Sequence, residues 1–367
     1  MRRPLDKLTI EGFKSIPKLD GFPLSELNVL IGANGAGKSN FMSFFGLLHA
    51  IVNRQLQLEV ARAGGAGRLL HLGRKQTRAI RARLEFGLNS FEFRLSPTAD
   101  DAVVFAFEEC GYSGGNPHAY GRGHSEARFL DQVDKKGTLG GPTIERYVHG
   151  SIAGWTIYHF HDTSETAAVR HRVSVRDNER FRPDGSNLAA FLLELRSTFP
   201  DRYEQIRDTV RLVAPFIDEF KLRSKENGGD EQVLLEWTQP GSDYPFHPSQ
   251  LSDGTLRFIC LATALLQPDP PSTMLFDEPE LGLHPQALEL LAALVKEAAT
   301  QTQVIISTQS VALVNQFEPQ DVVVVSRRGG ASVFERLDAA ALAGWLEDYA
   351  VGELWQKNVI AGGPVHE

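Results

Sequence analysis

The octapeptide Gly32-Ala33-Asn34-Gly35-Ala36-Gly37-Lys38-Ser39 constrains this chain more than any other feature. It fits G-x-x-x-x-G-K-[ST] without exception. An apolar run, Leu27–Ile31, precedes it, and helically spaced residues, Lys38–Ile51, follow it. In a strand–glycine loop–helix context, backbone N–H groups curl around phosphate oxygens and the helix start adds partial positive charge. Lys38 has the reach for β- and γ-phosphates, and the Ser39 hydroxyl is a ligand for Mg2+. A chance glycine-rich turn is the rival reading, and the flanking strand and helix weigh against it.

A second segment supplies acid. Thr273-Met274-Leu275-Phe276-Asp277-Glu278-Pro279-Glu280 ends an apolar strand in two adjacent carboxylates. Asp277 is the candidate to hold Mg2+ through water, and Glu278 the candidate to orient and deprotonate an attacking water. Glu280 reads as a supporting group or as a helix N-terminal carboxylate. A third segment, Gln250-Leu251-Ser252-Asp253-Gly254-Thr255, opens a helix. Alone it is an ordinary cap; beside the other two it is a second anion-binding helix start. From there the pattern alternates: helix Thr255–Leu266, strand Thr273–Phe276, helix Pro285–Thr300, strand Gln303–Ser307, helix Val311–Phe317, strand Asp321–Ser326. That alternation predicts a parallel α/β sheet.

The rest of the chain is read more coarsely. Leu8–Ile10 is a strand, Ile80–Phe86 and Ser90–Leu95 form a hairpin around Gly87–Asn89, and Ala102–Phe107 and Gly154–Phe160 are further strands. Residues 64–67 and 111–126 are loops by composition. Asn187–Arg196, Asp201–Leu212 and Pro215–Phe220 read as helices, punctuated by Pro183, Pro200 and Pro215. Ala339–Val359 is helical, with Trp345, Tyr349 and Trp355 as anchors. The expected organisation is an N-terminal lobe, 1–164, a helical insertion, 165–228, and a C-terminal lobe, 229–367.

Composition narrows the function classes. With 367 residues, 42% hydrophobic and 23% charged, the chain has material for a sizeable core, and disordered, collagen-like and disulfide-scaffold classes fall away. The two cysteines, Cys110 and Cys260, form no CxxC, so a reducing compartment is expected and a cysteine zinc site is not. Arg257 breaks the longest apolar run, no segment approaches a membrane span, and a cytoplasmic protein is the expectation. Net charge is −8, yet between Arg54 and Arg94 nine Lys and Arg stand against three Asp and Glu. This stretch reads as solvated surface balanced by acidic neighbours; a phosphate-backbone partner is the alternative. His159 and His161, with Asp162, read as hydrogen-bonded histidines, with a metal site as the lesser alternative.

Taken together, GANGAGKS, LSDGT (251–255), MLFDEPE (274–280) and the Ser-Thr-Gln-Ser at 307–310 resemble the ATPase heads of the ABC class. More closely, the chain resembles the RecF/SMC-like group of bacterial AAA ATPases, including the ATPase parts of OLD-type proteins. The opening Gly12-Phe13-Lys14-Ser15 is similar to the start of that group. Tyr158–Thr163 and Gly352-Glu353-Leu354-Trp355 are a softer match to a RecF-like subgroup. The resemblance implies a P-loop NTPase fold, α/β, with a mixed N-terminal β region and a parallel core. It implies Gly32–Ser39 as Walker A, with Asn34, Gly35, Ala36, Gly37, Lys38, Ser39 and Asn40 around ATP, and Lys14 and Ser15 near the nucleotide. Asp277 and Ser39 become the Mg2+ residues, with Glu278 the catalytic glutamate. Ser252 and Gly254 become signature residues that contact ATP held by a second copy, so an ATP-dependent homodimer is implied. The switch position, usually histidine, is here Gln309. Its amide can donate to a γ-phosphate but cannot become an imidazolium. The glutamine-loop residue has no clear counterpart; His161–Asp162 is the candidate region.

Two function classes follow. One is an ATP hydrolase, a dimer switch with DNA repair or anti-phage defence as context and DNA as a possible partner. The other is an ATP-gated scaffold with little turnover that recruits an effector protein. An OLD-type nuclease domain is not expected, since about 40 residues follow the last predicted strands. Ring-forming AAA+ proteins place their acidic strand nearer the phosphate loop, and GTPases need an NKxD that is missing from the sequence. The LSDGT variant, Gln309 and the opening Gly12–Ser15 point away from a transporter subunit.

Overall fold

A computed structural model describes residues 3–135 and 142–360. The chain begins β1 (Lys7–Phe13), β2 (Ile16–Pro23), β3 (Leu27–Ile31), α1 (Lys38–Val52), α2 (Leu56–Arg62), α3 (Ala66–Leu69), β4 (Ile80–Phe86), β5 (Asn89–Pro97), β6 (Val103–Tyr112), β7 (His118–Ala119) and α4 (Ile144–Ala153). It continues β8 (Trp155–Tyr158), β9 (Val173–Ser174), α5 (Leu188–Thr198), α6 (Pro200–Val213), β10 (Glu219–Lys221), β11 (Ser224–Asn227), β12 (Asp230–Val233), β13 (Glu236–Thr238) and α7 (Asp253–Leu266). The last part is β14 (Thr273–Asp277), α8 (Pro285–Ala299), β15 (Gln303–Thr308), α9 (Val311–Val314), β16 (Val322–Arg328), β17 (Ala331–Arg336), α10 (Ala339–Leu346) and α11 (Val351–Gln356). Contacts divide it into two units, 1–155 with 271–275 and 302–367, and 156–270 with 276–301.

The first unit holds two sheets. Every residue of β3 is buried, as a strand covered on both faces requires. β15 and β16 flank it in parallel, and β17 pairs antiparallel with β16. Gln303, at the start of β15, is buried and ties chain ends together: its amide donates to the Leu5 carbonyl at 2.9 Å and to the Ser25 carbonyl at 3.1 Å. The second sheet is antiparallel, in the order β2-β1-β4-β5-β6-β7. β4 alternates buried and half-buried residues, as one packed face demands. Phenylalanine rings build the core around α1: Phe13 meets Phe44 at 5.2 Å, and Phe41 meets Phe45 at 5.4 Å.

In the second unit α7 is buried over most of its length and packs with α6 and α8. Pro200 and Pro285 occupy the first helical positions of α6 and α8, where no N–H is needed. Tyr158 stacks on Phe276 at 5.1 Å and continues into Phe160 and Phe181. Residues 165–228 carry the two expected helices, α5 and α6, and also β9, β10 and β11.

Several local expectations are corrected. Pro215–Phe220 is not helical: a turn leads into β10, which pairs with β13, and tertiary pairing overrides a short run with weak helical signal. β2 had no expected counterpart, because Lys18, Asp20 and Gly21 interrupt its apolar alternation. Val311–Phe317 is helical only to Val314. His159 and His161 lie beyond the end of β8, so strand alternation does not set their directions. Trp345 is not an anchor but 49% exposed, whereas Trp355 is buried. Not all expectations change: among the described residues four of the eight arginines between 54 and 94 meet carboxylates, as a surface balanced by acidic neighbours would have it, Arg54 with Asp131, Arg74 with Asp101, Arg81 with Glu92, and Arg83 with Glu85 and Glu92. Both cysteines are buried free thiols. Among the described residues no helix is long and apolar enough to cross a membrane.

Candidate functional site

In the first unit, β3 ends directly at Gly32. A Cβ there would stand 2.2 Å from the Val325 carbonyl oxygen, so only glycine lets the loop leave the sheet this close to β16. Gly35 and Gly37 take φ of +77° and +119°, the left-handed backbone that turns N–H groups inward. No side chain caps α1, which suits a helix start to an anion. Lys38 is buried, and its amino group donates to the Gly32 carbonyl at 2.6 Å. Ser39, Asn34 and Gly35 are exposed around it.

The β16–β17 hairpin holds this loop from outside. Arg327 donates to the Gly35 carbonyl at 3.2 Å, and the Ser332 hydroxyl donates to the Ala36 carbonyl at 2.6 Å. Ser332 also stands 2.7 Å from the Ser15 hydroxyl, which accepts from the Asn40 amide at 2.7 Å. Ser15 and Asn40, both expected around the nucleotide, thus meet each other directly. Lys14 takes a φ of +45° in the β1–β2 turn and donates to the Ser43 hydroxyl at 2.8 Å. Burial lowers its pKa, and Glu59 partly offsets that. Gln309 follows β15 directly, before Ser310 caps α9. Sequence reasoning missed Ser332 and Arg327. Nothing local marks them, because their role comes from sheet order.

In the second unit, Asp277 ends β14 and Glu278 has a φ of +45°, a costly conformation for a residue with a side chain. A turn follows: Leu281 N–H donates to the Glu278 carbonyl at 3.3 Å, and Leu283 N–H to the Glu280 carbonyl at 3.0 Å. Asp277 and Glu278 border a shallow cleft with His161, Arg257 and Pro279. The carboxylates of Asp277 and Glu278 are the hard oxygens that Mg2+ prefers. Burial, and then His161, push the His159 pKa down, while Asp277 pulls it up. Among the described residues no group of three His, Cys, Asp or Glu side chains is arranged to hold a metal alone.

Ser252 caps α7 by accepting from Thr255 N–H at 3.1 Å and remains exposed. A Cβ on Gly254 would stand 2.2 Å from the Gly282 carbonyl oxygen, so glycine is what brings α7 against the turn after Glu278. Arg170 is buried and donates to Asp253 at 2.8 Å, to the Leu251 carbonyl at 3.2 Å and to the Thr163 carbonyl at 2.8 Å. Asp162, in the glutamine-loop candidate region, is turned onto Ser164, which lowers its pKa.

Over residues 27–315 the sequence matches a family model described as AAA domain, putative AbiEii toxin, Type IV TA system. Among solved structures, an Smc head bound to the C-winged helix domain of ScpA resembles it with a TM-score of 0.56 and 20% identity, covering 92% of this chain and 99% of that one. An Smc head with an extended coiled coil, bound to the C-terminal domain of ScpA derived from Pyrococcus furiosus, gives 0.52 and 17%, covering 94% and 99%. At these identities the likeness establishes the fold. No curated protein matches the sequence at a significant level.

Proposed function

The chain belongs to the AAA domain family of the putative AbiEii toxin type, Type IV TA system, with the fold of SMC heads, and from that premise we propose that it is a Mg2+-dependent ATPase whose ATP-bound state is a homodimer. The observation that carries this reading is the glycine cradle, with Gly35 and Gly37 at positive φ, Lys38 folded against Gly32 and an uncapped α1 behind Ser39. Lys38 and the loop N–H groups bind and orient the triphosphate. Ser39 and Asp277 are the residues that would hold Mg2+, which would supply charge neutralisation for the phosphates. Glu278 takes the proton of the attacking water. Ser252 and Gly254 present the start of α7 to nucleotide on a second copy, and Gln309 donates to the terminal phosphate. DNA repair or anti-phage defence is the context this reading fits.

A second reading is a slow ATP-gated scaffold that recruits an effector. Gln309 favours it, since an amide cannot carry the charge of a histidine there. The carboxylate of Glu278 favours turnover. A phosphate-release assay on purified protein with Mg2+, with and without DNA, run beside a mass measurement, tests both. Turnover with ATP-dependent dimers supports the first reading. Dimers with negligible turnover support the second, and neither would refute both.

A further inference from the structure

Arg257 is the one charge inside an otherwise apolar stretch of α7. It is 8% exposed, and the nearest favourable charge acting on it is Asp253, which already pairs with Arg170 at 2.8 Å. Among the described residues its hydrogen bonds go to main-chain carbonyls: Nε to Phe160 at 2.8 Å, Nη2 to His161 at 3.2 Å, and Nη1 to Leu281. Burial lowers its pKa, and Asp253 pulls the other way. Removing a guanidinium from water is costly, and three carbonyl acceptors offset only part of that cost. An apolar residue of similar length would fill the same space at less cost. A cation here therefore stabilises something that an apolar residue would not.

What it touches defines that role. Leu281 belongs to the tight turn that begins at Glu278, whose own backbone is in the left-handed region. Phe160 and His161 belong to the segment that leaves β8. The guanidinium fork thus joins α7, the β8 exit and the Glu278 turn at one point, three residues after Gly254. A planar five-donor group suits three carbonyls in different directions; an ammonium does not.

We propose that Arg257 is a positioning residue for turnover: it holds the 278–283 turn so that the Glu278 carboxylate is presented in its working direction, and it ties that direction to the start of α7. This rests on the reading of Glu278 as the base. Arg257 makes no contact with nucleotide in this proposal and acts through Glu278 alone.

The test is a double-mutant cycle with two readouts. Arg257→Ala is expected to lower kcat about ten-fold or more, within the range a misplaced general base produces, with KM for ATP within about two-fold. In a Glu278→Gln background, the same substitution is expected to cause no further loss, because its route is already cut. Hydrogen exchange at the Leu281 and Leu283 amides is expected to quicken in Arg257→Ala. Arg257→Lys, which keeps the charge without the fork, is expected to fall short of wild-type kcat and serves if the alanine variant does not fold. Equal losses in both backgrounds, an unchanged kcat, or unchanged exchange in the turn would each overturn the role. A wild-type protein with no turnover but with the quickened exchange would instead remove the base assignment and leave Arg257 a structural clamp only, which also refutes the proposal.

Discussion

Gly37 and Ser332 lie so close that a Cβ on Gly37 would stand 2.0 Å from the Ser332 hydroxyl oxygen. They are separated by almost the whole chain, yet together they set the curvature of the phosphate loop. The hydroxyl reaches past the missing side chain to the Ala36 carbonyl, and it does so because Gly37 holds a φ of +119°. The loop is thus shaped from both sides, by its own glycines and by the β16–β17 hairpin.

Gly37→Ala should therefore distort the cradle. Steric conflict and positive φ together predict a loss of about 1–3 kcal/mol in stability. Denaturant unfolding checks the first effect, and ATP titration checks an accompanying loss of affinity. An alanine variant that binds ATP as the wild type does would remove Gly37 from the cradle.

Glu278→Gln keeps the shape of the side chain and removes the proton acceptor. Turnover is expected to fall about a hundred-fold or more, while ATP binding survives and ATP-bound dimers accumulate. Steady-state phosphate release with size-exclusion chromatography in ATP reads both. Undiminished turnover would place the base elsewhere.

The tail depends on a glycine as well. A Cβ on Gly352 would stand 2.5 Å from the Val311 carbonyl and 2.6 Å from Asn315 Oδ1, so α11 docks on α9 only because position 352 has no side chain. Gly352→Ala should cost about 1–3 kcal/mol by overpacking. Because α9 follows Gln309, the same variant should also alter turnover more than ATP affinity. A thermal melt and a kcat–KM comparison test the two parts, and a variant with wild-type stability would contradict the docking account.

How far the sequence could be read follows from what each signal depends on. β3, α1, α7, β14, α8 and β15 were legible because their patterns are local: an apolar run leading into a glycine loop, a serine cap, a proline at the first helical position. The fold class followed from their order. β2 and the strand at 219–221 were not legible, since their partners, β1 and β13, lie elsewhere and their own residues are mixed. In the candidate site, the loop residues were visible, but Ser332 and Arg327 were not, because sheet neighbours carry no sequence spacing. Arg257 was visible only as a break in an apolar run. Its three carbonyl partners, one of them in the turn after Glu278, exist only in the folded chain. The tail shows the opposite failure: Trp345 has the composition of an anchor, but nothing in α10 is buried.

The central claim is that the Gly32–Ser39 loop grips a triphosphate through Lys38. Calorimetric titration of purified wild type and Lys38→Ala with Mg2+ and ATP tests it most directly. The account predicts one ATP per chain in the wild type and an affinity about ten-fold weaker or worse in the variant, the scale of a lost charge-assisted contact. Equal affinities in the two proteins, or no binding by the wild type, would contradict it.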